Sequence, residues 1–215
     1  MIELETQHLG GLANDLPLVR RRRMTGLAGG TTVAALRTPG AHPLTRTGIV
    51  RGDIRRSFGT ASGVARGVPF AIRLRLVSAN SGRPLTGHVA YLWHCDRDGE
   101  YSLRSAGLTG ENYLRGVQAA DSAGWVRFDS VFPGAYDGRW PHVHFEVYPN
   151  LDADDRLLAG ELLLPADACE KAYAVEGYER SRVRLDRSDL NGPLEMCGVT
   201  GDVRRGLVAT RTVAV

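Results

Sequence analysis

The sequence is poor in lysine and cysteine. Lys171 is the sole lysine among 27 basic residues, and the 215 positions hold three cysteines, Cys95, Cys169 and Cys197. Three cysteines so far apart cannot make a disulfide framework or a CxxC zinc site. One bridge plus a free thiol and three buried thiols fit equally, so the cysteines do not decide the compartment. No run approaches the ~20 consecutive apolar residues that a membrane-spanning helix needs. The 27 basic and 24 acidic residues leave a formal charge of +3 with no basic stripe beyond one short run, which argues against a nucleic-acid partner. Extended helical periodicity is also scarce, which excludes a helical bundle or a coiled coil. What is present suffices for one substantial domain: 43% hydrophobic residues can fill a core. The 26 Gly and 10 Pro are scattered as turn formers rather than gathered into low-complexity tracts.

The first 40 or so residues differ from the rest. Arg20, Arg21, Arg22 and Arg23 form a basic block, and an uncharged, mildly apolar stretch from Met24 to Leu36 follows. A basic run before a short apolar stretch is the layout of a secretory signal, and paired arginines suit the twin-arginine route. The alternative is a disordered arginine-rich tail. On this basis residues 1–40 are expected to be a leader or tail and 41–215 the folded domain. The protein is expected to be exported, with a cytoplasmic location as the alternative.

From about residue 48 the pattern is that of strands. Phe70, Ile72, Leu74 and Leu76 alternate with Ala71, Arg73, Arg75 and Val77, a period of two. His88 to Cys95 alternates again, with Val89, Tyr91, Trp93 and Cys95 on one side. Further strands are expected over Trp125–Phe132, His142–Tyr148, Leu157–Leu164 and Gly206–Val215, and one short helix over Asp167–Val175. Several short strands with Gly and Pro turns and almost no helix predict a mainly β protein, a β-sandwich.

The residues that carry chemistry begin with His142-Val143-His144. Residues two apart on a strand share a face, so both imidazoles point one way, which is half of a metal site. Alone, the pair reads equally as two surface histidines. Upstream, the Pro133-Gly134 turn and Gly138 bend the chain so that Tyr136 can fold back over the imidazoles, and Arg139 brings a positive charge to the same place. Tyr101 follows a strand and a Gly99-containing turn in the same manner. A phenolate is a hard anionic oxygen ligand, so two phenolates with two imidazoles favour Fe(III) over Zn(II) or Cu(I). A ferric ion of this kind suits an organic substrate that chelates through oxygen, of which a catechol is the natural example.

The order of these motifs resembles that of the intradiol ring-cleavage dioxygenases, the family of protocatechuate 3,4-dioxygenase, catechol 1,2-dioxygenase and hydroxyquinol 1,2-dioxygenase. The resemblance is carried by Ile49–Arg55, Gly67–Phe70, Gly82–Leu85, Leu92–Ser102, Arg115–Gln118, Phe128–Tyr136 and Gly138–Phe145, from about residue 48 to 165, and is nearest to an exported, actinobacterial-type branch. It implies a β-sandwich catalytic domain over 41–215 holding Fe(III) through Tyr101, Tyr136, His142 and His144. Tyr136 is then the tyrosinate that leaves the metal when catecholate chelates it and takes up a substrate proton, and Arg139 steadies negative charge near the ring. The implied reaction uses O2 to open a catechol-type ring to a muconate-type diacid. One departure is Glu161, in a strand where the family often has a glutamine beside the bound ring; it is expected to touch substrate and to alter rate and preference. Two other readings remain beside this one: a non-catalytic secreted β-sandwich that binds a ligand, and an iron-binding family member with little turnover. A homo-oligomer, a dimer first, is expected on general grounds for soluble enzymes.

Overall fold

The structure is a computed structural model and describes residues 10–25, 47–189 and 196–215. Among these residues, eight strands form two four-stranded sheets. In chain order they are β1 (Pro69–Val77), β2 (Val89–Trp93), β3 (Arg115–Ala119), β4 (Trp125–Val131), β5 (His142–Tyr148), β6 (Leu158–Leu163), β7 (Gly198–Asp202) and β8 (Gly206–Ala214). One sheet runs β4-β1-β8-β7 and the other β3-β2-β5-β6. Every pairing is antiparallel except β1 with β8. Helix α1 spans Leu12–Thr25, and two short helices, α2 (Ala166–Tyr173) and α3 (Glu179–Arg184), follow the second sheet.

The sandwich forms because the period-two pattern gives each sheet an apolar inner face. Phe70, Ile72, Leu74 and Leu76 of β1 and Val126 and Phe128 of β4 meet Ala90 and Leu92 of β2 and Val143, Phe145 and Val147 of β5 in one buried cluster. The expected strands and the helix after Pro165 are present, with ends shifted by a residue or two. Strands β3 and β7 and helices α1 and α3 carry too little periodicity in the sequence to announce themselves.

Alternation fails in the second sheet. Every residue of β2 and of β5 is buried, because the outer face of this sheet is covered as well. That outer face carries Val89, Tyr91 and Trp93 of β2 and His142, His144, Glu146 and Tyr148 of β5, with Trp93 paired to His144, Tyr91 to Glu146 and Val89 to Tyr148. Its cover includes Leu12 and Leu16 of α1, Ile49 and the loops bearing Tyr101 and Tyr136. The chemistry therefore sits on the outside of the sandwich, beneath a lid of loops and the α1 end.

The packed structure starts well before residue 40. Leu12, Asp15 and Val19 are buried; the Leu12 N–H donates to Glu146 Oε2 at 2.8 Å, and Asp15 is paired with Arg115 and Arg104. Of the expected leader, Arg20–Arg23 lie within α1, and residues 26–46 lie outside the described residues. Cys95, Cys169 and Cys197 are all buried free thiols.

Candidate metal centre

Two turns deliver the tyrosines. After β2 the chain reverses through Asp96-Arg97-Asp98-Gly99, where the Asp96 carboxylate accepts from the Asp98 and Glu100 N–H groups and Gly99 adopts φ +83°. A Cβ on Gly99 would lie 2.6 Å from the Ala135 carbonyl oxygen, so the glycine lets the two tyrosine loops touch. Gly134 is equally confined, between the Arg97 carbonyl and Ser181 Oγ, and the Gly134 N–H donates to the Asp96 carbonyl at 2.8 Å. The expected Pro-Gly bend is thus a close approach of loop to loop, and it aims Tyr136 at the β5 histidines.

All four residues expected as ligands converge. Tyr101 Oη lies 3.3 Å from Tyr136 Oη and 3.2 Å from His144 Nε2. Tyr136 Oη lies 3.2 Å from His142 Nε2, and the two Nε2 atoms are 3.0 Å apart. Donor atoms bound at about 2 Å to one ion stand a little over 3 Å from one another, so this quartet has the span of a first coordination sphere. Tyr101, His142 and His144 are buried, and Tyr136 is half-buried.

The histidine tautomers decide whether the quartet suits a cation. His142 Nδ1 faces the Trp140 carbonyl at 2.6 Å; a carbonyl only accepts, so Nδ1 carries the proton and Nε2 is bare. His144 Nδ1 faces Glu161 Oε1 at 3.4 Å, which puts its proton on that side too. Burial depresses the basicity of both rings, His144 most strongly, so they stay neutral near pH 7. Two unprotonated nitrogens then stand 3.0 Å apart, each 3.2 Å from a tyrosine hydroxyl, and all four atoms can donate a lone pair to one shared cation. Burial raises the pKa of both Tyr101 and Tyr136, so they are neutral phenols in the metal-free protein and become anionic ligands only beside a cation. The residues present fit iron.

Neighbours hold the four side chains in place. The Trp93 indole stacks on the His144 ring at 4.8 Å and 10°. Arg115, fully buried, donates to Ser102 Oγ at 3.1 Å and to the Ser102 carbonyl at 2.7 Å, next to Tyr101. Leu103 follows with φ +68°, a left-handed conformation that a leucine adopts only when its surroundings enforce it.

Arg139 and Glu161 lie at the rim, tied to each other. Arg139 Nη2 donates to Glu161 Oε1 and Oε2 at 2.6 and 2.7 Å. Glu161 pairs with His144 across β5 and β6, and its carboxylate forms a cluster with His142 and His144 whose candidate ligand atoms lie within 4.8 Å of one another. It meets His144 at Nδ1, the ring edge opposite the tyrosines, and is already engaged by Arg139. The residues that sequence reasoning passed over are Asp15 and Arg115. Arg115 stood in a recognised motif, but nothing marked Asp15, whose partner is 100 positions away.

Residues 56–153 match the family model described as Dioxygenase. Chlorocatechol 1,2-dioxygenase of Rhodococcus opacus is 38% identical over 61 residues, which is 28% of this chain and 24% of that enzyme. The chain thus matches about a quarter of the length of that curated relative. An intradiol ring-cleavage dioxygenase from Tetranychus urticae superposes with a TM-score of 0.63 at 22% identity, covering 77% of this chain and 86% of that one. The fold is that of the intradiol ring-cleavage dioxygenases, and the sequence resemblance holds over the segment that carries Tyr101, Tyr136, His142 and His144.

Proposed function

We propose that the protein is a ferric, non-haem intradiol dioxygenase that opens catechol-type rings with O2 to muconate-type diacids. The observation that carries this reading is the quartet of two phenols and two bare imidazole nitrogens, each within 3.0–3.3 Å of its neighbours. Bound there, Fe(III) would supply a Lewis acid that a catecholate can chelate through both oxygens and that activates its ring toward O2.

The rest is done by the chain. Tyr101 is buried and wedged between Tyr136 and His144, so it serves as a fixed anchor. Tyr136 is half-buried in a loop whose next residues, Asp137 and Gly138, are exposed. It can swing aside without opening the core, and its Oη is then a base within reach of a substrate hydroxyl. Arg139 places a guanidinium at the rim, where an anionic substrate would arrive, and Glu161 neutralises part of that charge. The pairing explains how a carboxylate can stand where an anion must bind. Buried Trp93 and Trp140 and the surrounding apolar residues keep water from the ligands.

Oxygen uptake by the iron-loaded protein, with catechol, protocatechuate and hydroxyquinol in turn, tests the reading. Consumption of one O2 per ring, with the ultraviolet absorbance of a conjugated diacid, is the expected result. Iron bound with no oxygen consumed on any of the three would contradict it.

A further inference from the structure

We propose that residues Gly10–Val19 are a permanent strap of the folded domain, and that Asp15 is a positioning residue for the metal site, acting through Arg115 on the turn that carries Tyr101. The inference rests on the metal-site reading above. It concerns the segment that composition alone assigns to a leader.

The strap is fastened at two points on the outer face of the second sheet. The Leu12 N–H donates to Glu146 Oε2 at 2.8 Å. Glu146 lies two residues beyond His144 on the same strand face, and Tyr148 and Arg156 also hold it. Asp15 is the second fastening. Its carboxylate accepts from Arg115 Nη1 and Tyr91 Oη, both at 2.5 Å, and from Arg104 Nη2 at 2.7 Å. The Asp15 side chain is 0% exposed and that of Arg115 1%, and Asp15 is the only carboxylate paired with Arg115 among the described residues. Gly10 closes down on the same spot, since a Cβ there would lie 2.8 Å from both Arg115 Nη1 and Trp93 Nε1.

From Asp15 the contacts lead directly to the ligands. Arg115 spends its other two nitrogens on Ser102, the residue after Tyr101. Tyr91, hydrogen-bonded to Asp15, stacks on Trp93 at 5.1 Å, and Trp93 stacks on His144. One carboxylate from the N-terminal segment therefore steadies one phenol ligand and one imidazole ligand. Were the chain cut and residues 10–19 lost, Arg115 would remain a buried cation with no counter-charge beside a left-handed turn that it helps to hold. The strap must therefore stay with the domain wherever the protein resides.

Asp15→Asn in the full chain, loaded with Fe(III), is the direct test. The expected result is iron held at least tenfold more weakly and a shifted tyrosinate charge-transfer band, with the far-ultraviolet circular dichroism of the wild type. Arg115→Gln should move the band in the same way, and the double variant should move it no further. A folded Asp15→Asn protein with unchanged band and iron affinity overturns the proposal. Should that variant not fold, a protease site inserted between Leu36 and Arg37 of the otherwise wild-type chain gives the answer. The cut N-terminal fragment should co-elute with the domain, and its departure with iron and colour intact is the contrary result. If the wild type takes up no iron, the metal-site reading fails by itself, and co-elution still decides whether the strap belongs to the fold.

Discussion

At the scale of single residues, the protons on His142 and His144 govern the site. Because each Nδ1 is engaged by an acceptor, each Nε2 carries the lone pair that can bind a cation. His144→Ala removes one donor and the stacking partner of Trp93, so iron per chain should fall towards zero in a metal assay of the purified protein. Tyr136→Phe removes a donor and the proposed base together. It should weaken the colour and slow ring cleavage by ~100-fold, the lower range for loss of a positioned acid–base group. Glu161→Gln frees Arg139 from its partner and removes an anion from the rim. Steady-state kinetics should then show KM for a carboxylated catechol falling by roughly fivefold, as expected for about 1 kcal/mol of charge interaction at a partly buried site. An unchanged or higher KM would mean that substrate does not meet this pair.

At the scale of elements, the metal site depends on turns meeting a strand. The β5 face was legible because His142 and His144 obey the period of a strand and are preceded by a Gly-Pro-rich bend. Tyr101 and Tyr136 could be placed beside this face from sequence because each follows a turn that a glycine marks. What was not legible is that the face would be buried. Nothing in β2 or β5 says which segment covers their outer side, since cover is a long-range property: Asp15 reaches Arg115 across the whole first half of the chain. The location of the Arg139 side chain near the site was foreseen, but its bond to Glu161 was not, because cross-strand register decides it. Gly99→Ala tests the loop-to-loop contact. The new methyl group would press on the Ala135 carbonyl and adopt φ +83°, costing about 1–2 kcal/mol from conformation alone. A drop in Tm of ~2–4 °C per kcal/mol should follow, with a weakened band because Tyr136 is displaced.

At the scale of the whole molecule, the burial that shapes the site also sets how the fold answers to acid. His94, 1% exposed, donates from Nδ1 to the Cys95 carbonyl at 2.7 Å, and Ser130 Oγ meets its Nε2 at 2.6 Å. Burial lowers its pKa to about 4, and His142 and His144 shift the same way in the metal-free protein. The unfolded chain, with histidines near pKa 6.5, binds more protons than the native state between these values. Stability is therefore full above about pH 6.5 and is lost as pH falls towards 4, by roughly 3 kcal/mol from His94 alone. Urea titrations of the metal-free protein at pH 7.5 and 4.5 should show the midpoint fall, and an equal midpoint would mean that His94 is not buried as a neutral ring.

The central claim is that Tyr101, Tyr136, His142 and His144 close around one ferric ion that a catechol can chelate. The visible absorption spectrum of the iron-loaded protein, taken before and after adding catechol without oxygen, tests it most directly. A red-brown tyrosinate charge-transfer band that moves to longer wavelength with catechol is the predicted result. A colourless protein that binds no iron would contradict it.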